Sequence, residues 1–142
     1  MEQLQEFAGV KVGDELPRRQ LQVTQEMVNK YADVSHDYNP LHTDEEFAKT
    51  TFYGRTIAHG LYSIGVLSSA MSEWNAKGWA NGGQLDIAFL SPLYPGEEVA
   101  VGGTVKAIEK TDDGAVYARV EIDIQSMGKP TIGGTASARL DG

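Results

Sequence analysis

The sequence predicts one α+β domain in which an antiparallel sheet curls around a single helix. Its 142 residues suffice for one domain and leave no room for a second, so the predicted domain spans residues 1–142. The stretch from Leu61 to about Lys77 has helical apolar spacing, whereas the chain after Gly83 alternates between apolar and polar residues. A helix-rich first half therefore precedes an antiparallel meander.

The first part of the chain is predicted to hold one short strand, two helices and a loop. Five apolar positions suggest the strand: Val10, Val12, Leu16, Leu21 and Val23. Thr24 is the predicted N-cap of a helix that runs through Tyr31. Residues 35–43 form a predicted loop, because Asn-Pro marks a turn and a proline moves the preceding residue out of the helical region. A short helix follows, since Thr43 and Glu46 have the capping-box spacing.

The central helix is predicted from its apolar face and its small residues. That face consists of Leu61, Ile64, Leu67, Ser68, Met71 and Trp74. Glycine, serine and alanine keep the rest of the helix slim, and no Asp, Glu, Lys or Arg occurs before Glu73. A helix this apolar is usually buried, so we expect other elements to wrap around it.

The second half is predicted to form four strands joined by turns. They cover Leu85–Phe89, Val99–Ala107, Val116–Ile124 and Thr131–Leu140. An Asp-Asp-Gly sequence at 112–114 predicts a hairpin, and Gly-Lys-Pro at 128–130 predicts a second turn. Glycine pairs at 102–103 and 133–134 lie inside strands, where they predict bulges or sharp curls.

Charge and composition exclude several classes of function. Twenty acidic and twelve basic residues give a net charge of −8, which argues against coating nucleic acid. The absence of cysteine excludes a disulfide scaffold, a thiolate nucleophile and an iron–sulfur site. No basic residue precedes Lys11, and the longest uncharged run, Thr56–Ser72, is too short and polar to cross a bilayer. We expect a cytoplasmic protein without a nucleic-acid or membrane partner.

One dense polar cluster remains once the standard motifs are excluded. The sequence has no dinucleotide-binding or P-loop glycine motif, and Ser63 misses the nucleophile-elbow pattern by one position. The cluster is Asp-Tyr-Asn-Pro-Leu-His at 37–42, followed by a His-Gly pair at 59–60. Asp37 and His42 can converge on one small volume if the proline turns the chain between them.

This cluster has the groups needed to add water to a carbon–carbon double bond. One member of an Asp37/His42 pair could take a proton from water while the other delivers a proton to the neighbouring carbon. Gly60, at the start of a helix, offers a backbone N–H to a developing enolate oxygen. The simpler alternatives are a turn or cap role for Asp37 and a structural role for His42. A metal site is disfavoured, because the histidines lack helical ligand spacing.

These residues closely resemble the signature of the MaoC-like (R)-specific enoyl-CoA hydratases, also called hydratase 2. The resemblance rests on Tyr31–His42 with Phe47-Ala48, on Thr56–Leu61, and on Leu85–Pro92 with Tyr94–Gly96. It implies a hot-dog fold, in which an antiparallel sheet wraps around one long helix. It also implies a homodimer or a dimer of dimers, with the acyl-CoA tunnel near the subunit interface.

The resemblance assigns roles to five residues. Asp37 and His42 match the catalytic pair, and Asn39 matches an asparagine that helps to hold the loop. Gly60 matches the backbone oxyanion donor, and Ser68 matches a serine that supports the catalytic aspartate. The implied reaction is reversible syn addition of water to a trans-2-enoyl-CoA, which gives an (R)-3-hydroxyacyl-CoA without a cofactor.

Two features of the sequence are unusual for such an enzyme. The family commonly has glycine before the catalytic aspartate, where this chain has His36. If that position needs a positive φ, the histidine costs about 1 kcal/mol, and we expect it to be tolerated. The acidic net charge requires local cations for the CoA phosphates, and the candidates are Lys49, Arg55, Lys77 and Lys129.

Three other functions are consistent with these residues. The first is the reverse reaction, dehydration of a 3-hydroxyacyl thioester on CoA or acyl-carrier protein in fatty-acid or polyketide metabolism. The second is a hot-dog acyl-CoA thioesterase, which would release free CoA. The third is a non-catalytic acyl-CoA-binding subunit, which the intact Asp37, Asn39, His42 and His-Gly pair disfavour.

Overall fold

A computed structural model describes residues 1–142 as eight strands and four helices. The strands are β1 (Glu2–Leu4), β2 (Glu6–Phe7), β3 (Val10–Lys11), β4 (Arg19–Gln22), β5 (Gln84–Phe89), β6 (Glu98–Lys110), β7 (Val116–Ser126) and β8 (Lys129–Arg139). The helices are α1 (Gln25–Ser35), α2 (Pro40–Thr43), α3 (Glu45–Ala48) and α4 (Gly60–Gly82). The predicted order, helices before a meander of long strands, is therefore observed.

Six strands form one antiparallel sheet in the order β1–β6–β7–β8–β5, with β4 also paired to β6. The alternation of apolar and polar residues that predicted β7 matches the burial of its side chains. The even-numbered residues from Val116 to Ser126 are buried, and the odd-numbered ones are less buried or exposed. All of the even-numbered residues except Ser126 belong to the hydrophobic core cluster, which also includes Leu67 and Met71 of α4. β5 pairs with β8 alone, so its other side is an open edge of the sheet.

The long helix α4 lies against β8 and β6 and buries one face. Leu67 and Met71 are fully buried, whereas Leu61 at the start of the helix is 63% exposed, so the sheet covers one face of the helix within the single chain. The helix is interrupted at Asn75, whose φ is −153° and ψ is 76°. The Asn75 side chain accepts a hydrogen bond from the Gly78 N–H and donates one to the Arg139 carbonyl. None of the four helices combines the length and the apolar character of a membrane span.

The chain before α4 differs from the prediction in three places. Four short strands replace the single predicted strand, and two of them, β1 and β4, pair with β6 far along the chain. Part of the predicted loop is the helical turn α2, because Pro40 occupies the first helical position, where its missing N–H costs nothing. Asp44, and not Thr43, caps α3, since its carboxylate accepts the Phe47 N–H. The predicted N-cap at Thr24 is confirmed: its Oγ1 accepts the Met27 N–H.

The two glycine pairs mark places where the chain passes close to its neighbours. The register shifts lie elsewhere, between Val105 and Ala107 and between Ile124 and Gln125, so the predicted bulges at the glycine pairs are wrong. Gly134 has a φ of 123°, and a Cβ there would lie 2.2 Å from the Asp86 carbonyl oxygen. The backbone at Gly134 therefore has the unusual conformation that the prediction of a sharp curl requires, and β8 approaches β5 closely there.

Candidate active site

The loop after α1 presents Asp37 to solvent. His36 ends the helix in the left-handed region, with φ 60° and ψ 20°, so the predicted positive φ is observed. The chain then turns, and the Asp37 Oδ1 accepts the Asn39 N–H at 3.2 Å. The Asn39 Oδ1 in turn accepts the Leu41 N–H at 3.0 Å, which caps α2. Both of these hydrogen bonds of Asn39 therefore lie within this loop and at the start of α2.

The next helical turn carries His42 into a nearly buried position. Its side chain is packed so that the residue is 9% exposed. The His42 Nδ1 lies 2.8 Å from the Ile57 carbonyl oxygen. A carbonyl only accepts hydrogen bonds, so in this arrangement Nδ1 carries a proton and donates it. Nε2 is then the ring atom that is left to gain or lose a proton.

His59 was noted in the sequence only as part of the His-Gly pair, and no role was predicted for its side chain. Its ring stacks on the His42 ring, with 3.9 Å between centroids and 29° between planes. Its Nε2 donates a hydrogen bond of 2.9 Å to the Asp37 carbonyl oxygen. Tyr31 packs on the His59 ring, and Tyr62 packs on Tyr31. Burial raises the pKa of Tyr62. The signal in the sequence that could have indicated a role for His59 is its position directly before Gly60, the predicted oxyanion donor.

The structure brings Asp37, His42 and His59 together. One carboxylate oxygen and one nitrogen from each ring lie within 4.8 Å of one another. These are atoms that a metal ion could use as ligands. One nitrogen of each ring is already hydrogen-bonded to a carbonyl oxygen, His42 Nδ1 to Ile57 and His59 Nε2 to Asp37. One nitrogen of each ring and the Asp37 carboxylate are therefore left to act on a bound molecule.

Gly60 begins α4 at the mouth of a cleft of about 260 Å³. The cleft lies between the segment that precedes α4 and the end of β5, and its lining includes Ile57, Ser63, Phe89 and Leu93. No backbone hydrogen bond uses the Gly60 N–H, and the His59 side chain does not cap the helix. The free N–H and the helix dipole thus face a largely apolar space. Asp37 and His42 do not line this cleft, and His42 is joined to its wall by the hydrogen bond to the Ile57 carbonyl.

Ser68 is not placed where the resemblance implied. It lies eight residues after Gly60, about 12 Å along the helix axis at 1.5 Å per residue. Its Oγ accepts a hydrogen bond of 2.9 Å from the Trp79 indole N–H and makes none to Asp37. The physical reason is the interruption at Asn75, because Trp79 follows it and turns back toward Ser68. The expected support of the aspartate by this serine is therefore wrong within the chain.

The four candidate cations for CoA phosphates differ in their partners. Lys49 forms an ion pair with Glu46, and Arg55 donates to the Pro95 carbonyl and stacks on Tyr94. Lys77 and Lys129 form no ion pair. Lys129 precedes Pro130, whose carbonyl accepts a hydrogen bond from the cleft residue Ser91.

Comparison with known proteins identifies the family and agrees with the fold. The sequence profile of the MaoC-like domain matches residues 8–127. The chain belongs to the MaoC-like domain family. One relative, the 3-hydroxyacyl-thioester dehydratase Z of Mycobacterium tuberculosis, is 30% identical over 129 residues, which cover 87% of this chain and 83% of the relative. The (R)-specific enoyl-CoA hydratase of Aeromonas caviae is 34% identical over 84 residues, covering 58% of this chain and 62% of the hydratase.

Solved MaoC-like structures confirm the predicted hot-dog fold. The (R)-hydratase structure from A. caviae superposes with a TM-score of 0.78 at 27% identity, over 92% of this chain and 97% of the other. The antiparallel sheet packed on the long α4 is the architecture that this similarity requires. The family therefore places the chain among MaoC-like hydratases and dehydratases.

Proposed function

We propose that the protein catalyses the reversible hydration of trans-2-enoyl-CoA to (R)-3-hydroxyacyl-CoA. The observation that carries this proposal is the approach of the Asp37 carboxylate and the His42 imidazole to within 4.8 Å. A water molecule with two hydrogen bonds of about 2.8 Å at a tetrahedral angle spans roughly 4.6 Å between its partners. The separation of the carboxylate oxygen and the ring nitrogen, at most 4.8 Å, is therefore within the span that one water molecule can bridge.

The hydrogen bonds around the pair support a division of the two protons. The reactive state has an ionised Asp37 and a His42 that carries a proton on both ring nitrogens. As the water oxygen bonds to C3, a water proton passes to Asp37, and His42 delivers its Nε2 proton to C2. Transfer of a proton from Asp37 back to His42 through solvent restores the starting state. Throughout this cycle the His42 Nδ1 proton stays on its bond to the Ile57 carbonyl, which holds the ring in place. No cofactor is needed in this scheme.

The amino end of α4 supports the third part of the reaction. Hydration makes the thioester oxygen more negative as the enolate develops, and the unused Gly60 N–H is a donor for that oxygen. The helix dipole adds to this stabilisation. The adjoining cleft is apolar enough for a short acyl chain, and the unpaired Lys129 near its rim is a candidate partner for a CoA phosphate.

The open edge of β5 supports a homodimer. β5 leaves one row of backbone groups unpaired, and Phe89 and Leu90 at its end are 57% and 54% exposed. An exposed apolar edge strand favours pairing with another chain. Both residues also line the cleft, so a second copy that pairs along β5 would complete the wall of the site.

The function is tested by hydration of crotonyl-CoA, followed as loss of enoyl absorbance. We expect the wild-type protein to give the (R)-3-hydroxy product. Asp37→Asn and His42→Gln should each lower kcat/KM by at least about 10²-fold, the contribution typical of a general acid or base. Glu46→Gln is the matched control, because that carboxylate is exposed and pairs only with Lys49. Wild-type rates in either pair variant would refute the proposal.

A second candidate is dehydration of a 3-hydroxyacyl thioester, the activity named for the M. tuberculosis relative. The same pair and the same oxyanion donor would run the reaction in reverse. Rates on CoA and carrier-protein thioesters distinguish the two substrates. Release of free thiol from an acyl-CoA would instead indicate a thioesterase, and no turnover on any thioester would indicate a binding subunit.

A further inference from the structure

We propose that His59 is a positioning residue, which fixes the relative geometry of Asp37 and His42. The inference deepens the proposed hydratase function and rests on it for its kinetic readout. His59 touches both members of the pair by different means, a hydrogen bond to one and a ring stack on the other.

The hydrogen bond ties the site loop to the start of α4. The donor is the His59 Nε2 and the acceptor is the Asp37 carbonyl, 22 residues earlier in the chain. Asp37 is exposed and its carboxylate has only the Asn39 N–H as a partner within the loop. The bond from His59 is therefore the contact that anchors the backbone of this residue to the protein interior.

The stack holds His42 from a second direction. The Ile57 carbonyl fixes the edge of the His42 ring through Nδ1, and the His59 ring covers its face at 3.9 Å. The Ile57 carbonyl, the His59 ring and the Gly60 N–H all lie within residues 57–60. One short segment therefore positions Asp37 and His42 relative to the oxyanion donor. A shift of this segment would change both distances together.

The burial of His59 argues against a purely space-filling role. The residue is 2% exposed, and its Nδ1 is the one buried side-chain polar atom in the chain without a hydrogen-bond partner. A buried polar atom without a partner is unfavourable, so an apolar ring would pack here at lower cost. The feature that an apolar ring cannot supply is the Nε2–H bond to Asp37. The hydrogen bond to the Asp37 carbonyl therefore explains why an imidazole occupies this buried position.

Two substitutions separate the two contacts. His59→Phe keeps a ring beside His42 but removes the donor to Asp37, whereas His59→Gln keeps a side-chain N–H but removes the ring. We expect each to lower kcat for crotonyl-CoA hydration about 10-fold or more, because small displacements of reacting groups are costly. KM should stay within about threefold, since His59 does not line the cleft. His36→Asn is the control, an exposed histidine in the same loop.

A second readout does not depend on activity. The chain has three histidines, so the imidazole ¹⁵N shifts of the ligand-free protein can be assigned from single variants. The wild type should show His42 protonated on Nδ1 and His59 on Nε2. In His59→Gln, His42 should populate both tautomers, because its ring is no longer covered, whereas in His59→Phe it should keep the Nδ1–H form.

The outcomes separate this inference from the proposed function. A lowered kcat with unchanged KM in both variants, together with the tautomer shift in His59→Gln, supports it. Wild-type kcat in both variants, or a loss of the same size in His36→Asn, overturns it. If the wild type does not hydrate enoyl-CoA, the proposed function fails. The positioning role of His59 is then tested by the His42 tautomer alone, and an unchanged tautomer in His59→Gln overturns it.

Discussion

Replacing Gly60 with alanine adds one methyl group between the start of α4 and Phe89. The new Cβ would lie 3.1 Å from the Phe89 Cζ and 3.2 Å from its Cε1. These atoms form the tip of a ring that is 57% exposed, so it can move by the few tenths of an ångström required. Gly60 does not have a positive φ, so alanine fits the backbone. We expect the free energy of unfolding to stay within about 1 kcal/mol of the wild type.

The same methyl group should damage the reaction. It projects into the cleft beside the N–H that is proposed to stabilise the enolate oxygen. Alanine keeps the backbone N–H, but the methyl group obstructs the approach of the thioester oxygen to it. Loss of one oxyanion hydrogen bond typically lowers the rate about 10²-fold, which corresponds to about 2.7 kcal/mol of transition-state stabilisation. We therefore expect kcat/KM of Gly60→Ala to fall by about that factor while the fold is retained.

Crotonyl-CoA hydration and urea unfolding on the same preparation test both expectations. Gly65→Ala is the matched control, because it lies in the same helix and a Cβ added there would meet no atom within 4 Å. It should keep wild-type kcat/KM and gain about 0.5–1 kcal/mol of stability. Wild-type kcat/KM in Gly60→Ala would refute the oxyanion role, and loss of folding would refute the packing argument.

Three further substitutions test other parts of the account. His36→Gly should raise the free energy of unfolding by about 1 kcal/mol in urea titrations, because it relieves a φ of 60°, and an unchanged value would contradict this. The ion pair with Arg139 holds the pKa of Asp141 well below its usual range, so its contribution is present above about pH 4 and is lost as pH falls further. Thermal melts from pH 2 to 7 should show the gap between wild type and Asp141→Asn closing on acidification, and a constant gap would count against this role. Gly134→Ala should cost more than about 4 kcal/mol or prevent folding, since its Cβ would meet the Asp86 carbonyl oxygen, and a soluble variant with a wild-type melting temperature would exclude that close approach.

The second half of the fold was predictable because its signals are local. β7 alternates strictly between buried and less buried residues, and the Asp-Asp-Gly turn before it needs only a glycine at positive φ, which Gly114 supplies. The Thr24 cap is likewise a contact between residues three apart. Such features depend on a few neighbouring residues, so the amino-acid sequence contains most of the information that determines them.

The short strands near the start of the chain have no comparable signal. β1 and β4 are three and four residues long, and each exists because it pairs with a different part of β6. The edge of β6 that they cover is formed about eighty or more residues later, which no local pattern reveals. The same limit applies to the N-cap of α3. Thr43 and Asp44 are both suitable cap residues, and in the folded chain Asp44 occupies the cap position.

The site was predictable in part. Asp37, Asn39 and His42 could be found because one short loop carries them, and the turn at Pro40 brings them together. The role of the His59 side chain was missed because it depends on a ring stack with a residue 17 positions earlier. Ser68 was misplaced because the interruption of α4, which returns Trp79 to it, has no marker in the helical pattern.

The central claim, that one carboxylate and one imidazole act on the same water molecule, is tested most directly by a double-substitution cycle. kcat/KM for enoyl-CoA hydration is measured in the wild type, Asp37→Asn, His42→Gln and the double variant. Groups that work as a unit are not additive, so the double variant should be no slower than the slower single variant within about threefold. Losses that multiply, with the double variant slower by the product of the two single effects, would mean that the two residues act separately.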